Sequence, residues 1–330
     1  MLKSITVNES QNMKGVQFLR SNAITLVLVL LVSGLSIANP QFRSTTNLWN
    51  LFDQNVVPEI VACGMLIMML TGGFDLSIGA SGAIGAVISA LFSTHHGVLA
   101  GVIGGLLAST FVGLMNGLCI SYLNVNPLVT TLGATTLWYG IINLKTSGSP
   151  ISGLPDGWTS WGLGNTGPIP NVSFIGVLVI LLTWLLLRFT IHGGHIYAVG
   201  SNMAGAARAG VNVRLVLTSV YAIGGFLGGV AGLITVAQTG VGNPATGSEW
   251  PLAAIAAIVI GGTRLSGAIG GVKSVIIGTV IISVLSNALT LYNVSPFIVP
   301  ILTGAVVIIA VAASQRSSKA TGSLVKSTQI

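Results

Sequence analysis

The chain has 330 residues, of which 52% are apolar and only 6% charged, with 13 Lys and Arg against 6 Asp and Glu. A soluble domain of this length carries about a quarter charged residues, so composition excludes a soluble globular protein and predicts an integral membrane one. The net charge of +7 does not point to nucleic acid. The basic residues fall in loops and tails, where retention of Lys and Arg on the cytoplasmic side accounts for them.

A basic tail over residues 1–21, with Lys3, Lys14 and Arg20, precedes a first predicted span from about Asn22 to Asn39 that stops at Pro40. This start, with its apolar run ending Ser36-Ile37-Ala38, resembles a cleavable signal peptide, but a basic flank and an apolar run serve equally as a first span. Residues 41–55 are expected at the membrane interface with Trp49 as an anchor. A second apolar run, Val56 to Leu70, leads into Gly72-Gly73-Phe74-Asp75-Leu76-Ser77. Spans then follow over Ile78 to Phe92, Val98 to Leu123 and Leu128 to Leu144, separated by His95-His96-Gly97 and by the breaker Asn124-Val125-Asn126-Pro127.

Thr146 to Val172 is a long loop rich in Gly, Pro, Ser and Trp with no Lys or Arg, which places it outside. Phe174 to Leu187 returns to the stretch Arg188–Arg214, which carries Arg188, Arg208, Arg214, His192 and His195 and is expected on the cytoplasmic side. That stretch is either a handle for a soluble partner or a connector whose arginines only set topology. Leu215 to Ala237 crosses outward to Gln238–Trp250, a second loop without positive charge, holding Glu249. Pro251 to Ile260, Val275 to Leu291 and Phe297 to Ala313 complete the pattern before a tail over 314–330. The expectation is an all-α integral membrane protein: about ten transmembrane helices in one domain over 22–313, with both termini cytoplasmic.

Two internal echoes predict a diverged repeat: Gly72–Ser77 with Gly261–Ser266, and Asn124–Pro127 with Asn293–Pro296. The first copy is longer by about one span. Transporters are often built from two related halves with broken helices where they meet, although glycine-rich apolar sequence also produces short matches by chance.

Asp75 is the informative charge, because a carboxylate at mid-helix costs about 2.5–3.5 kcal/mol on insertion scales. Gly72 and Gly73 could unwind the chain so that backbone amides and Ser77 satisfy it; equally, Asp75 could simply start the next helix as a cap. Asp75, Ser77, Asn126 and Pro127 are therefore candidates for a substrate path. Trp158 and Trp161, read as exposed in the outer loop, and Glu249 are candidates for an outer contact surface, which the resemblance given below would make the docking surface of a binding protein. No phosphate loop of the GxxxxGK[ST] form is present, so the chain is not expected to hydrolyse ATP. The histidines lack the carboxylate or cysteine company of a metal site. Cys63 and Cys119 read as free thiols packed as small hydrophobes. Over Asn202–Gly210 the alanines predict a short helix, capped by Ser201 or Asn202 and ended by Gly210.

Four runs, GGFDLSIGA at 72–80, NPLVTTLGATTLWYGI at 126–141, HIYAVGSN at 195–202 and IAAIVIGGTRLSG at 255–267, resemble the membrane permease subunits of ribose-type sugar ABC importers. The likeness extends from about Asn47 to Ala313 in the family's order. It implies a permease of the bacterial inner membrane that pairs with a second copy or a sister permease. It further implies a cytoplasmic ATP-binding subunit and a periplasmic substrate-binding protein as partners, besides membrane lipid, with ATP used by the partner and no cofactor in this chain. The segment Tyr197–Val211 corresponds to the family's coupling segment, which makes Gly200, Asn202, Ala206, Ala207, Arg208 and Gly210 the ATPase-coupling candidates. The chain departs from the family's pattern at Gly194 and Ile269, where Arg is common, and at Met203 and Ala204, where Glu often follows the Asn. The alternative reading is a stand-alone secondary carrier or facilitator for a small polar solute.

Overall fold

The computed structural model describes residues 24–295, 297–305 and 308; the expected tails at 1–21 and 314–330, and the end of the last predicted span, lie outside the described residues. The chain folds as α1 (Ile24–Ala38), α2 (Thr45–Leu70), α3 (Ile78–His96), α4 (Val98–Tyr122), α5 (Pro127–Thr146), α6 (Gly157–Gly162) and the strands β1 (Asn165–Thr166) and β2 (Ile169–Pro170). There follow α7 (Asn171–Phe189), α8 (Ile191–Ser201), α9 (Met203–Arg208), α10 (Val213–Thr239), α11 (Trp250–Ile260) and α12 (Val272–Leu291), then a helix over residues 298–305. Six of the described helices, α2, α3, α4, α7, α10 and α12, are long and apolar enough to cross a membrane.

Helix α10 is the spine. A Cβ on Gly113 of α4 would overlap the Tyr221 carbonyl and come within 2.9 Å of Gly225, so the two backbones touch, as small residues permit in membrane helices. Ile78 and Gly82 of α3 lie against Gly228 and Gly232, while Gly64 of α2 faces Gly224 and Gln238 of α10 reaches Asp53 of α2. These pairings make α3 parallel to α10, and α2 and α4 antiparallel to it. The result is a bundle with one end carrying α6 and the hairpin, and the other carrying α8 and α9.

Two expected boundaries are corrected. Residues 45–55 are not a segment separate from the second span but the start of α2, which begins at the cap Ser44, whose Oγ accepts from the Asn47 N–H at 3.2 Å. Two of their polar side chains are paired inside the bundle: Asn47 and Asn287 of α12 exchange amide hydrogen bonds at 3.1 and 2.9 Å, and Ser283 donates to Asn55 at 2.6 Å. In addition, the segment Gln238–Trp250 is not simply an outer loop. It pairs with Ile151 through Gly242 and then descends along α3 until Gly247 packs on Gly79, where a Cβ on either glycine would collide with the other's backbone. That contact lies level with Gly228, about three turns short of the end of α10. Helix α11 therefore begins inside the bundle, and with 11 residues it rises only about 16 Å, half a crossing.

The two sequence echoes part company here. Asn124 and Asn293 share φ of 54° and follow α4 and α12, which run in opposite directions, so these turns sit at opposite ends. The Gly72 and Gly262 turns sit at the same end, joined by the Ala268 N–H bonded to the Leu70 carbonyl at 2.9 Å. One symmetry operation cannot relate both pairs; the paired glycines reflect a common way to end a helix, with positive φ at Gly72 and Gly262.

The Asn47–Asn287 pair yields a double-mutant prediction. Asn47→Leu leaves the buried Asn287 amide unpaired and should lower stability by about 1–2 kcal/mol, whereas Asn47→Leu with Asn287→Leu should recover most of the loss. Thermal unfolding of the purified variants in one detergent reads both values.

Candidate functional site

At the α8–α9 end the chain breaks between α2 and α3. Thr71 Oγ1 donates to the Met68 carbonyl at 2.7 Å, and the Gly73 N–H bonds the same carbonyl at 3.2 Å. Beyond this turn the backbone has no helical partners, and inside a membrane protein every such group must be satisfied by other means. Tyr221 of α10 donates its hydroxyl to the Phe74 carbonyl at 3.2 Å. Asp75 Oδ1 accepts from the Ser77 N–H at 2.7 Å and from Ser77 Oγ at 2.6 Å, and Asn116 of α4 donates to Ser77 Oγ at 2.6 Å. Asp75 thus makes an Asx turn that launches α3. Asp75 and Ser77 are both fully buried and line no described cavity; they hold the turn in place, and the other carboxylate oxygen, Oδ2, has no partner among the described residues.

Beside this turn lies a cavity of about 620 Å³ lined by Gly72, Gly73, Asn126, Pro127, Ala207 and Tyr221, among others. Asn126 caps α5 by accepting the Leu128 N–H at 2.9 Å, so the breaker after α4 forms one wall. Arg214 also lines it, its guanidinium 5.4 Å from the centre of the Tyr122 ring. Two of the path candidates, Asn126 and Pro127, therefore share a cavity with one coupling candidate, Ala207. Sequence reasoning missed Tyr221 and Asn116; their only signal was a polar side chain within otherwise apolar, glycine-rich spans.

The short helix expected over 202–210 is present as α9. The Asn202 side chain accepts from the Gly205 N–H at 2.8 Å, and Gly210 ends the helix with φ of 86°. Ala207 and Arg208 are exposed, but Ala206 is buried, because the one turn of helix must seat a small side chain against the bundle to stay in place. Gly200 likewise packs inward: a Cβ there would overlap the Leu70 carbonyl. Ala206 and Gly200 thus pack against the bundle, Ala206 buried and Gly200 half-buried.

At the opposite end, Trp158 is 4% exposed and donates its indole N–H to Ser93 Oγ at 2.8 Å. It packs with Ala86, Val236 and Ala237, since α6 folds the loop back over the bundle. The expectation of an exposed Trp158 is therefore corrected; Trp161, at 41% exposure, and Glu249 do face outward.

His192 of α8 lies 2.9 Å from Ser219 of α10. Burial, and next the neighbouring His195, hold its pKa below the usual 6.5. The unfolded state therefore binds the proton more readily than the folded one, so the stability from neutral His192 is present above 6.5 and lost as pH falls below it. Hydrogen exchange of α8 amides, corrected for intrinsic rates, should quicken between about pH 7.5 and about pH 5.5, and His192→Asn should flatten that dependence. Asp75→Ala should cost about 1–3 kcal/mol by unsatisfying the buried Ser77 groups, while Asp75→Asn, which retains the acceptor oxygen, should cost less; thermal melting of both variants compares them.

Comparison with known proteins extends over nearly the whole chain. Residues 50–311 match the family described as branched-chain amino acid transport system / permease component. The chain is 34% identical over 311 residues to the ribose import permease protein of Haemophilus influenzae, covering 93% of this chain and 96% of that protein. It is 36% identical over 297 residues to the Bacillus subtilis ribose import permease protein, covering 89% and 92%. The galactose/methyl galactoside import permease protein of Escherichia coli is 33% identical over 316 residues, covering 89% and 94%. No solved structure matches. With the broken membrane-embedded helices described above, this full-length likeness makes the chain a multi-pass membrane protein of the branched-chain amino acid transport system / permease component family.

Proposed function

We propose that this chain is the transmembrane permease of a binding-protein-dependent, ATP-driven importer for a sugar or sugar-like molecule in the bacterial inner membrane. The observation that carries this reading is the likeness, end to end, to relatives named for ribose and for galactose/methyl galactoside import. The permease provides the path and is not itself an enzyme; ATP is bound and hydrolysed by a separate cytoplasmic subunit. The domain spans 22–313 with both termini cytoplasmic. Its ten membrane-embedded helices are α1 to α5, α7, α10, α11, α12 and the helix beginning at 298, with α11 reaching halfway. The Asn124 and Asn293 turns, alike in φ and at opposite ends, support a duplicated origin with one half inverted.

Helix α5 supports a second permease copy or sister permease. Its outer face carries Gly133, Thr136, Gly140 and Asn143, all exposed, and neither glycine has anything within 4 Å among the described residues. A stripe of small and polar residues is what a membrane helix presents to another helix or to an aqueous path. On this reading the α8–α9 end is cytoplasmic, with Ala207 and Arg208 toward the ATP-binding subunit, and the α6 end receives the binding protein, with Trp161 at that surface and Glu249, though exposed, set below it beside Trp250 at mid-bundle.

The test is uptake in vesicles containing this permease with a candidate ATP-binding subunit and substrate-binding protein from the same organism. Ribose or galactose uptake should require ATP and both partners; uptake by the permease alone would identify a carrier instead. In the same system Ala207→Trp should depress stimulated ATP hydrolysis about tenfold by overfilling the contact, whereas Arg208→Ala, a rim charge, should cost less and respond to salt. Equal hydrolysis in wild type and Ala207→Trp would remove α9 from the coupling surface.

A further inference from the structure

The descent of residues 240–250 leaves a second cavity, a bowl of about 440 Å³ between α2, α10 and the descending segment. It runs from Thr239 and Val241 at the α6 end down to Gly247 and Trp250 at the middle of the bundle, and it is separate from the cavity beside Tyr221. Its lining holds no ionised side chain. It is furnished with side-chain amides from Gln54, Gln238 and Asn243, with the hydroxyls of Thr235 and Thr239, and with one aromatic, Trp250.

The hydrogen bonds of these groups are already partly assigned. Thr235 and Thr239 donate their hydroxyl protons to the carbonyls of Ala231 and Thr235 at 3.0 and 2.7 Å, which leaves their oxygens as acceptors. Gln238 donates to Asp53 Oδ1 at 3.2 Å, so the amide is oriented with its carbonyl oxygen available. Asn243 Oδ1 accepts from the Ala245 N–H at 2.9 Å, which leaves its amide protons available. Trp250 is clamped along its six-membered edge, since a Cβ on Gly82 or Gly247 would meet that edge, and its remaining surface contributes to the bowl. A cation would call for carboxylates in the wall and an anion for arginine or lysine. A fixed mixture of neutral donors and acceptors with one apolar plate suits a neutral ligand bearing several hydroxyls and a C–H face.

We propose that this bowl is a binding subsite for a neutral monosaccharide, in which Gln54, Gln238, Asn243 and Thr239 hold hydroxyls and Trp250 packs against the ring. The proposal rests on the sugar-import reading and adds a place within the chain where the cargo pauses. The descending segment is itself tied to α5, because Tyr139 donates to the Thr246 carbonyl at 2.9 Å, so an occupied bowl bears directly on the helix with the unpartnered stripe.

Cysteine protection tests the site without depending on the affinity of the binding protein. In a Cys63→Ala/Cys119→Ser background, Val241→Cys, at the rim of the bowl, is labelled with a charged maleimide in nanodiscs, with Ser149→Cys at the same end as control. Ribose or galactose should slow labelling of Val241→Cys by a factor rising as 1 + [L]/Kd and leave the control unchanged. Adding Gln238→Leu should move the protecting concentration about tenfold higher, as loss of an oriented hydrogen-bond acceptor does. Labelling indifferent to both sugars, protection equal at the control position, or protection unaffected by Gln238→Leu overturns the subsite. Wild-type uptake is measured alongside: uptake without protection sinks the subsite alone, whereas absence of uptake sinks the importer reading on which it rests.

Discussion

The structure depends on one constraint, that a helix broken inside a membrane protein must find partners for the backbone groups the break sets free. At Gly72–Ser77 the solution is local and polar. Asp75 supplies the acceptor for Ser77, Asn116 reaches in from α4, and Tyr221 covers the Phe74 carbonyl. At Gly242–Trp250 the solution is different: the backbone is paired to Ile151 and then laid against Gly79, with Tyr139 covering the Thr246 carbonyl. Both breaks lie against α10, and α3 and α11 both start near the middle of that helix. The glycines on α10, α3 and α4 follow from this arrangement, since side chains of ordinary size would hold the helices too far apart for the broken segments to be covered.

The arrangement also sorts the polar residues by role. Asp75 and Ser77 are sealed beneath the turn, and the amide pair Asn47–Asn287 joins α2 to α12 away from either cavity. By contrast, Asn126 and Tyr221 line one cavity, and Gln238 and Asn243 the other. A polar side chain inside a membrane protein is a reason to look for function, yet here several of the most buried ones serve architecture, and the polar groups facing the second cavity are neutral amides and hydroxyls.

Much of the architecture was legible in the chain because hydrophobic runs and their breakers are strong signals: the limits of α3, α4, α5, α10 and α12 fall within a few residues of expectation. Helix α9 was legible from Asn202 and Gly210, whose side-chain and backbone chemistry mark helix ends whatever surrounds them. What escaped depends on tertiary contact. The extension of α2 back to Thr45 shows only where Asn47 and Asn55 meet α12, and Trp158 looks exposed until α6 folds it against Ser93. Likewise Ala206 and Ala207 are identical in sequence terms, and only the rotation of a single turn decides that one is buried and the other exposed. The short length of α11 was legible, since Pro251 to Ile260 was expected and Trp250–Ile260 is found; its start inside the bundle was hidden for a related reason, since an uncharged loop that descends into a bundle has the same composition as one that stays outside.

The docking of α8 has a mechanical consequence. Gly200 rests on the Leu70 carbonyl, the Ala268 N–H bonds that same carbonyl, and Tyr197 donates to the Gly270 carbonyl at 3.0 Å. The surface helix, the end of α2 and the loop after α11 are consequently joined at one point, two of the three links being backbone contacts at Leu70 and the third the Tyr197 hydroxyl. A displacement of α8 along the membrane face therefore bears directly on both glycine turns.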